Sequence, residues 1–325
     1  MLLEQASKIN RHMKSLKVVI SYSSLFLFLA AIFVYFSLAS PHFLKPRNFI
    51  NIFTSVSVIG IISTAMTLAL IGRGPDLTVG AIVAMMGSIQ TYLVLIKGFP
   101  WYVGMLAGVA IGVGVGLING LIIVKFDLSP FIVTLGMMNV VRGFCFVLTD
   151  GLAHFINIPG LVYLGRATWA GIPVSIVVLL ASFIIFDFVS KKTVFGRQLY
   201  ASGSNRTAAR LAGINTDRIG ISLYVISGLM AAIAGIVLVG IGGAAIPNIG
   251  ESYPMDAITA VLLGGTSLAG GAGSVRKTFL GILIIGVLNN GMALLNVQTF
   301  WQISAKGLLL LMAVITDGLR NRHKN

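Results

Sequence analysis

Apolar residues along this chain form long, nearly uninterrupted runs, without the alternation of a half-buried strand. Most of the runs approach the length of about 20 residues that a helix needs to cross a bilayer. We therefore predict ten transmembrane helices joined by short connections. The runs cover residues 18–38, 50–71, 79–96, 103–124, 131–148, 174–189, 219–241, 255–268, 279–295 and 303–315.

Two of these runs leave alternatives open. Residues 18–38 follow a basic tail, as in a signal peptide, but the run is longer than the core of about 7 to 15 residues that a signal peptide carries. We interpret it as a retained first helix. Residues 255–268 form a shorter run, so an eight-helix version, with this segment re-entrant and one early hairpin not crossing, is the alternative.

Composition excludes a water-soluble protein. Hydrophobic residues make up 57% of the chain, charged residues 10%, and the mean hydropathy is +0.96, whereas soluble domains carry about 25% charged residues. We predict a single all-α membrane domain, a polytopic helical bundle over residues 1–325. The 38 glycines fit close packing between membrane helices.

The net charge of +14 predicts orientation in a membrane rather than binding to nucleic acid. If the N-terminus is cytoplasmic, most of the 23 basic residues fall in cytoplasmic segments, as the positive-inside rule requires. Both termini are then cytoplasmic. The predicted cytoplasmic segments are an N-terminal tail (1–17), a loop (190–218) and a C-terminal tail (319–325).

Glycine recurs every four residues in the fourth run. Residues four apart lie on one face of a helix, and small residues there let a second backbone approach. We predict a tight helix contact on this face, without naming its partner. The glycines are Gly104, Gly108, Gly112, Gly116 and Gly120.

Turn-forming residues and one acid separate the second and third runs, in the order Gly-Arg-Gly-Pro-Asp-Leu-Thr-Val-Gly from 72 to 80. Pro75 suits the first turn of a helix, and Asp76 is placed to cap its amides or to pair with Arg73. Because charged groups within a membrane are often functional, Asp76 is alternatively a site for a coupling ion. We expect Asp76 and Gly80 to be structural residues of a helix break.

A second glycine-rich segment, residues 264–274, contains Gly264, Gly265, Gly270 and Gly271, which we also assign to a helix break. It does not fit a nucleotide-binding loop, which needs glycine directly before its lysine and a preceding strand. Here Arg276 precedes Lys277, and apolar runs flank the segment. An Asn-Gly pair follows each glycine-rich segment, at 119–120 and 290–291, and this hints at a two-fold internal repeat.

The longest polar interval between apolar runs contains a short segment that favours a helix. Ala208, Ala209, Leu211 and Ala212 offer a surface of small side chains bounded by Gly213. A short helix of this kind fits a groove on a cytoplasmic partner.

These segments resemble the permease subunits of ribose-type ATP-binding cassette (ABC) sugar importers. The resemblance runs from about Phe43 to Asp317 and rests on residues 76–80, 208–215, 256–258, 264–271 and 288–291. It implies that Asn205, Ala208, Ala209, Leu211 and Gly213 belong to a coupling helix that contacts an ATPase. The glutamate usual in that helix is replaced here by Arg206 and Thr207.

The resemblance also implies the setting in which this chain works. Its partners are a cytoplasmic ATPase that binds ATP and Mg, a second permease copy or a paralogue, and a periplasmic sugar-binding protein. This chain itself is expected to bind no cofactor or metal and to lie in the bacterial inner membrane.

Two other functional classes are alternatives to an ABC permease. An ion-coupled secondary transporter would use Asp76, Asp187 or Asp256, and a polytopic enzyme is disfavoured because the four histidines lie near ends or in loops. Amides and an indole in apolar helices are either solute ligands or helix-to-helix hydrogen bonds. The pathway candidates are Asn119, Asn139, Asn289, Asn290 and Trp301.

Overall fold

The computed structural model describes residues 25–156 and 158–322, and this part of the chain is almost entirely helical. Four two-residue strands form two antiparallel pairs: β1 (His154–Phe155) with β4 (Ala244–Ala245), and β2 (Thr168–Trp169) with β3 (Ile172–Pro173). The helices are α1 (Leu25–Ala39), α2 (Pro46–Ile71), α3 (Val79–Gln90, continued as a π-helical turn Thr91–Ile96), α4 (Trp101–Phe126), α5 (Pro130–Thr149), α6 (Pro159–Arg166), α7 (Val174–Lys192), α8 (Val194–Ser204), α9 (Arg206–Leu211), α10 (Thr216–Gly242), α11 (Tyr253–Leu263), α12 (Val275–Leu294) and α13 (Thr299–Arg322).

Every predicted apolar run corresponds to one of these helices. Eight helices in the described part of the chain are long and apolar enough to cross a membrane, namely α2, α3 with its π-helical turn, α4, α5, α7, α10, α12 and α13. The apolar helices α1 and α11 are shorter. The predicted tail 1–17 and the start of the first run lie outside the described residues. The predicted tail from 319 begins within α13.

Several helix boundaries follow from local sequence signals. Pro46 and Pro130 stand at the first helical positions, where their missing N–H and fixed φ are favourable. Asp127 and Asp150 end α4 and α5 in the left-handed conformation, with φ of 49° and 52°. The short helices α6 and α8 were not predicted, because neither has a long apolar run.

Helix α10 lies at the centre of the bundle, against α2, α3 and α4. A Cβ on Gly116 would meet the backbone of Tyr224, and one on Gly112 would lie 2.8 Å from the Gly228 carbonyl oxygen. The predicted glycine face of α4 is therefore confirmed as a tight contact, and its partner is α10. Gly108 of the same face approaches Met86 of α3.

Helix α3 begins part-way along α10 rather than at its end. Met86 packs against Gly235, so Val79, about 10 Å earlier at 1.5 Å per residue, lies near the middle of α10. Residues 72–80, the segment that leads to α3 together with the first two residues of α3, are called here the α2–α3 break. We call the end of the bundle that holds α8 and α9 the α9 end.

A second interruption, residues 243–252, is called the α10–α11 break. It returns from the far end of α10 to the middle of the bundle, where a Cβ on Gly80 would collide with the Gly250 carbonyl oxygen. From there α11 runs towards the α9 end, and its last residues approach the start of α12, since a Cβ on Gly264 would lie 2.6 Å from the Thr278 nitrogen.

The two breaks are therefore related by inversion: α3 leaves the middle of the bundle in one direction and α11 leaves it in the other. The hint of a repeat in the sequence had paired residues 72–80 with residues 264–274. That pairing is wrong, because residues 264–274 form a loop at the α9 end, whereas residues 243–252 form the counterpart of the α2–α3 break.

Candidate functional site

The predicted coupling helix corresponds to α9. The Asn205 side chain caps it by accepting a hydrogen bond from the Ala208 amide at 2.9 Å. Gly213 follows the helix with φ of 81°, a left-handed conformation that glycine adopts without steric cost. Polarity and glycine placement in the sequence thus position this short helix.

One face of α9 is open to solvent. Leu211 is 85% exposed, and Asn205, Ala208, Ala212 and Gly213 are exposed beside it. Ala209 is only 5% exposed and packs towards the bundle. The structure therefore groups four of the five predicted coupling residues on an open surface and places Ala209 behind them. Ala208, Leu211 and Ala212 are called the α9 surface below.

Ion pairs attach α9 to the first turn of α10. Arg206 and Arg210 both contact Asp217, at 3.1 and 2.5 Å, and Arg206 also contacts Asp127 in the α4–α5 connection at 3.3 Å. These side chains are between 40% and 90% exposed, so each pair contributes little alone. Their shared carboxylate at Asp217 nevertheless fixes α9 relative to the central helix.

Arg73 joins the α2–α3 break to the loop that carries α9. Its guanidinium donates to the carbonyl oxygens of Gly203 at 2.6 Å and Ser204 at 2.8 Å, the last residues of α8. The predicted pairing of Arg73 with Asp76 is therefore wrong, because the Arg73 side chain donates to the last two carbonyl groups of α8 instead.

Asp76 bonds to Thr78, the residue that directly precedes α3. Its Oδ1 accepts hydrogen bonds from the Thr78 amide at 2.9 Å and from the Thr78 hydroxyl, and the whole side chain is buried. Asn119 donates to the same hydroxyl at 3.3 Å. No amide of α3 itself bonds to this carboxylate, so the prediction that Asp76 caps the helix amides is wrong. Pro75 likewise precedes α3 rather than standing in its first turn. The Asp76 Oδ2 has no hydrogen-bond partner among the described residues.

The α11–α12 loop, residues 264–274, packs against the end of α2 and against α8. The Gly271 amide donates to the Ile71 carbonyl at 2.8 Å. Tyr200 of α8 donates to the Gly273 carbonyl at 3.0 Å, and burial raises the pKa of its hydroxyl, which keeps the donor protonated. Three of the four glycines assigned to this segment adopt positive φ, namely Gly265, Gly270 and Gly271.

The five pathway candidates do not come together. Asn290 and Asn48 exchange two hydrogen bonds of 2.9 Å, which join α12 to the start of α2. Asn119 of α4 donates to Thr78 of the α2–α3 break, so both asparagine amides connect separate parts of the bundle. Trp301 is 68% exposed on α13, and the Asn289 Oδ1 is buried with no partner among the described residues. Asn139 lies exposed on α5.

Arg142 connects the part of α5 that carries Asn139 to the α10–α11 break. Arg142, one helical turn away, donates to the carbonyl oxygens of Pro247 at 2.6 Å and Ile249 at 2.8 Å, so α5 lies against the α10–α11 break. That break exposes three further polar side chains. We call the exposed set the polar face; its members are Asn139, Asn248, Glu251 and Ser252.

Sequence reasoning missed Glu251 and its neighbours. They stand just before an apolar run and were counted as a connection between helices. A signal was nevertheless present, since Gly250 and Pro254 flank the acid and predict a turn. What the sequence did not reveal is that this turn reaches the middle of the bundle.

The other acids named for ion coupling are paired. Asp256 of α11 accepts from Lys306 of α13 at 2.9 Å, and both side chains are largely buried. Asp187 of α7 contacts Lys191 at 2.5 Å and Arg276 at 2.7 Å. Within the described residues, no group of three or more His, Cys, Asp or Glu side chains is arranged to hold a metal ion.

The sequence of this chain is similar to a known family of permeases and to several named proteins. Residues 48–315 match the family described as branched-chain amino acid transport system / permease component. The ribose import permease protein of Bacillus subtilis is 40% identical over 294 residues, covering 90% of this chain and 91% of that protein. The ribose import permease protein of Escherichia coli K12 is 37% identical, covering 86% and 88%.

A third relative carries a different sugar in its name. The L-arabinose ABC transporter permease protein of Azospirillum brasilense is 36% identical over 306 residues, with 94% of this chain and 90% of that protein covered. No solved structure matches this chain.

Proposed function

Because the chain belongs to the branched-chain amino acid transport system / permease component family, we propose that it is the membrane-spanning permease subunit of an ATP-driven importer. Its solute is a monosaccharide or a similar small polar molecule. The relatives named for ribose and L-arabinose import support this class. The observation that carries the proposal is the exposed α9 surface, held by ion pairs at the foot of the central helix.

The proposed topology has ten crossings with both termini in the cytoplasm, which puts the α9 end in the cytoplasm. The distribution of charge supports this orientation. Connections at the α9 end carry many basic residues, whereas the connections at the opposite end carry few. The residues at the opposite end are Lys45, Arg47, Lys97 and Arg166.

The orientation is tested with single cysteines at Leu211 and Leu152, which are exposed at opposite ends of the bundle. Both are introduced with Cys145→Ala, since that buried thiol is the native cysteine. In intact cells with a permeable outer membrane, a membrane-impermeant thiol reagent should label position 152 and not position 211. Labelling of 211 alone would contradict the proposal.

A cytoplasmic ATPase subunit docks on the α9 surface and supplies the ATP and Mg sites. Small side chains at Ala208 and Ala212 allow close approach, and burying the exposed Leu211 side chain against a partner would remove its apolar surface from water. Arg73 then carries a displacement of α8 and α9 to the α2–α3 break through its two hydrogen bonds. ATP hydrolysis belongs to the partner.

The solute passes along the polar face. An exposed acid and two amides at the depth where the two breaks meet are costly against lipid, so this face is expected to border water or protein. Carboxylate, amide and hydroxyl groups pair well with sugar hydroxyls. A second permease copy or a paralogue completes the passage opposite the polar face, and a periplasmic binding protein delivers the solute at the opposite end.

ATP-dependent uptake into membrane vesicles tests the function. Uptake should require the ATPase subunit, and Leu211→Glu should abolish both uptake and co-purification of the ATPase. Leu152→Glu is the matched control, with the same change at an exposed leucine of the opposite end. It should leave co-purification intact.

Two outcomes would overturn the proposal. Uptake that persists without the ATPase and follows a proton or sodium gradient would favour the ion-coupled alternative, with the unpaired oxygen of Asp76 as the ion site. Normal co-purification of the ATPase with Leu211→Glu would remove the α9 surface from the docking site.

A further inference from the structure

A groove between α7 and α12 has an exposed apolar wall and shares no lining residue with the polar face or the α9 surface. It encloses about 460 Å³. Its floor is apolar and includes Phe183 and Phe279, whose rings meet edge to face with centroids 5.0 Å apart. Leu180, Ile184 and Phe188 form its exposed wall.

Three basic side chains border the groove where α7 ends. Lys191 and Arg276 share Asp187, yet the Arg276 side chain remains 70% exposed. Lys192 is exposed and has no hydrogen-bond or ion-pair partner among the described residues. With three cations and one carboxylate, the rim carries a net positive charge.

We infer that this groove binds one molecule of an anionic phospholipid. Lys192 is the last residue of a membrane-length helix, so the cations lie at the depth of the lipid headgroups. The apolar wall below them fits an acyl chain. Basic pockets between transmembrane helices are a recurring type of site for anionic headgroups.

The separation of charge and apolar surface along α7 supports a lipid rather than a protein occupant. Leu180, Ile184 and Phe188 are spaced by four residues, so they line one face of the helix from its middle to its cationic end. A cytoplasmic protein reaches the cations but not Leu180, three turns up the helix. A phospholipid covers both parts at once.

The test measures lipid bound to the full-length chain, purified in detergent and stripped of lipid. Dioleoyl phosphatidylglycerol is titrated and counted by native mass spectrometry, with dioleoyl phosphatidylethanolamine as the neutral lipid. One anionic lipid should bind more tightly than the neutral one. Lys192→Gln should weaken it about fivefold, the loss expected when one cation near an anionic headgroup is removed.

Two further variants distinguish the contribution of the cationic rim to lipid binding from that of the apolar groove. Ile184→Trp fills the exposed wall and should weaken binding of the lipid while leaving the rim intact. Lys125→Gln is the matched control, because Lys125 is an exposed lysine in the last turn of α4 at the same end. It should leave the affinity unchanged.

Several results would overturn the site. If Lys125→Gln and Lys192→Gln weaken lipid binding equally, the lipid responds to the overall positive charge of the α9 end and not to this groove. If glycerol phosphate, which has no acyl chain, binds as tightly as the anionic phospholipid, the apolar groove does not contribute to binding. Loss of ATPase co-purification with Lys192→Gln in lipid-free detergent would make the rim a protein-docking surface instead.

Discussion

The two helix breaks differ in what surrounds them. The α2–α3 break is closed: Asp76, Leu77 and Thr78 are buried, and Arg73 bonds to the end of α8. The α10–α11 break is open: Asn248, Glu251 and Ser252 are exposed, although Gly250 reaches the middle of the bundle. The closed break suits a connection to the ATPase side, and the open break suits contact with a polar solute.

The two breaks touch where Gly80 meets Gly250. Neither residue has a side chain, so the two backbones meet directly. A shift of one break therefore displaces the other. Variants that act on one break alone separate the connecting role from the solute-contacting role.

The largest effect is expected from Lys306→Ala, which leaves Asp256 buried without its partner just after the open break. Removing one member of a buried ion pair costs about 3–5 kcal/mol of stability. Thermal unfolding in detergent should show a lower Tm, and adding Asp256→Asn should recover part of the loss. If the double variant is no more stable than Lys306→Ala, the pair does not hold α13 to α11.

A smaller loss should follow from Gly80→Val, which adds side-chain atoms where the breaks meet. Overpacking of this kind costs about 1–3 kcal/mol. Gly114→Val on α4 is the control, because a Cβ added at Gly114 has no atom within 4 Å other than the local backbone of its own helix. Equal Tm values for the two variants would argue against the close contact.

Arg73→Gln should affect coupling more than stability. It removes the charged donor to the Gly203 and Ser204 carbonyls, and hydrogen bonds to charged groups contribute about 1.5–3 kcal/mol. Uptake per ATP hydrolysed should fall about tenfold, which corresponds to roughly 1.4 kcal/mol. Arg197→Gln, at an exposed arginine of α8, should leave this ratio unchanged.

The smallest effects distinguish the asparagines. Asn290→Ala breaks the pair with Asn48 and should lower stability by about 0.6 kcal/mol without changing KM for uptake. Asn139→Ala should do the opposite, raising KM without changing Tm, because its side chain is exposed on the polar face. If Asn290→Ala changes KM and Asn139→Ala does not, the solute passes along α12 instead of along the polar face.

The elements that sequence predicts well here are those with local causes. Apolar runs predict the helices, the four-residue glycine spacing predicts the tight face of α4, and Asn205 and Gly213 delimit α9. The partner of that face, the destination of Arg73 and the meeting of Gly80 with Gly250 depend on contacts between residues distant in sequence. No local pattern contains this information.

Arg206 illustrates the same limit. In the coupling helices that this segment resembles, a glutamate is usual at the position where this chain has Arg206 and Thr207. That difference alone does not indicate what Arg206 does. In the structure it contacts Asp217 and Asp127 and holds α9 in place. Its role depends on two acids, one 79 residues earlier in the chain.

The contact between α4 and α10 has a kinematic consequence. Because Gly112 and Gly116 bring two backbones together, no layer of side chains is present to absorb sliding or rotation between these helices. The two helices are therefore expected to behave as one rigid body throughout a transport cycle. An opening that admits a solute therefore has to form at a different helix contact, where side chains can repack.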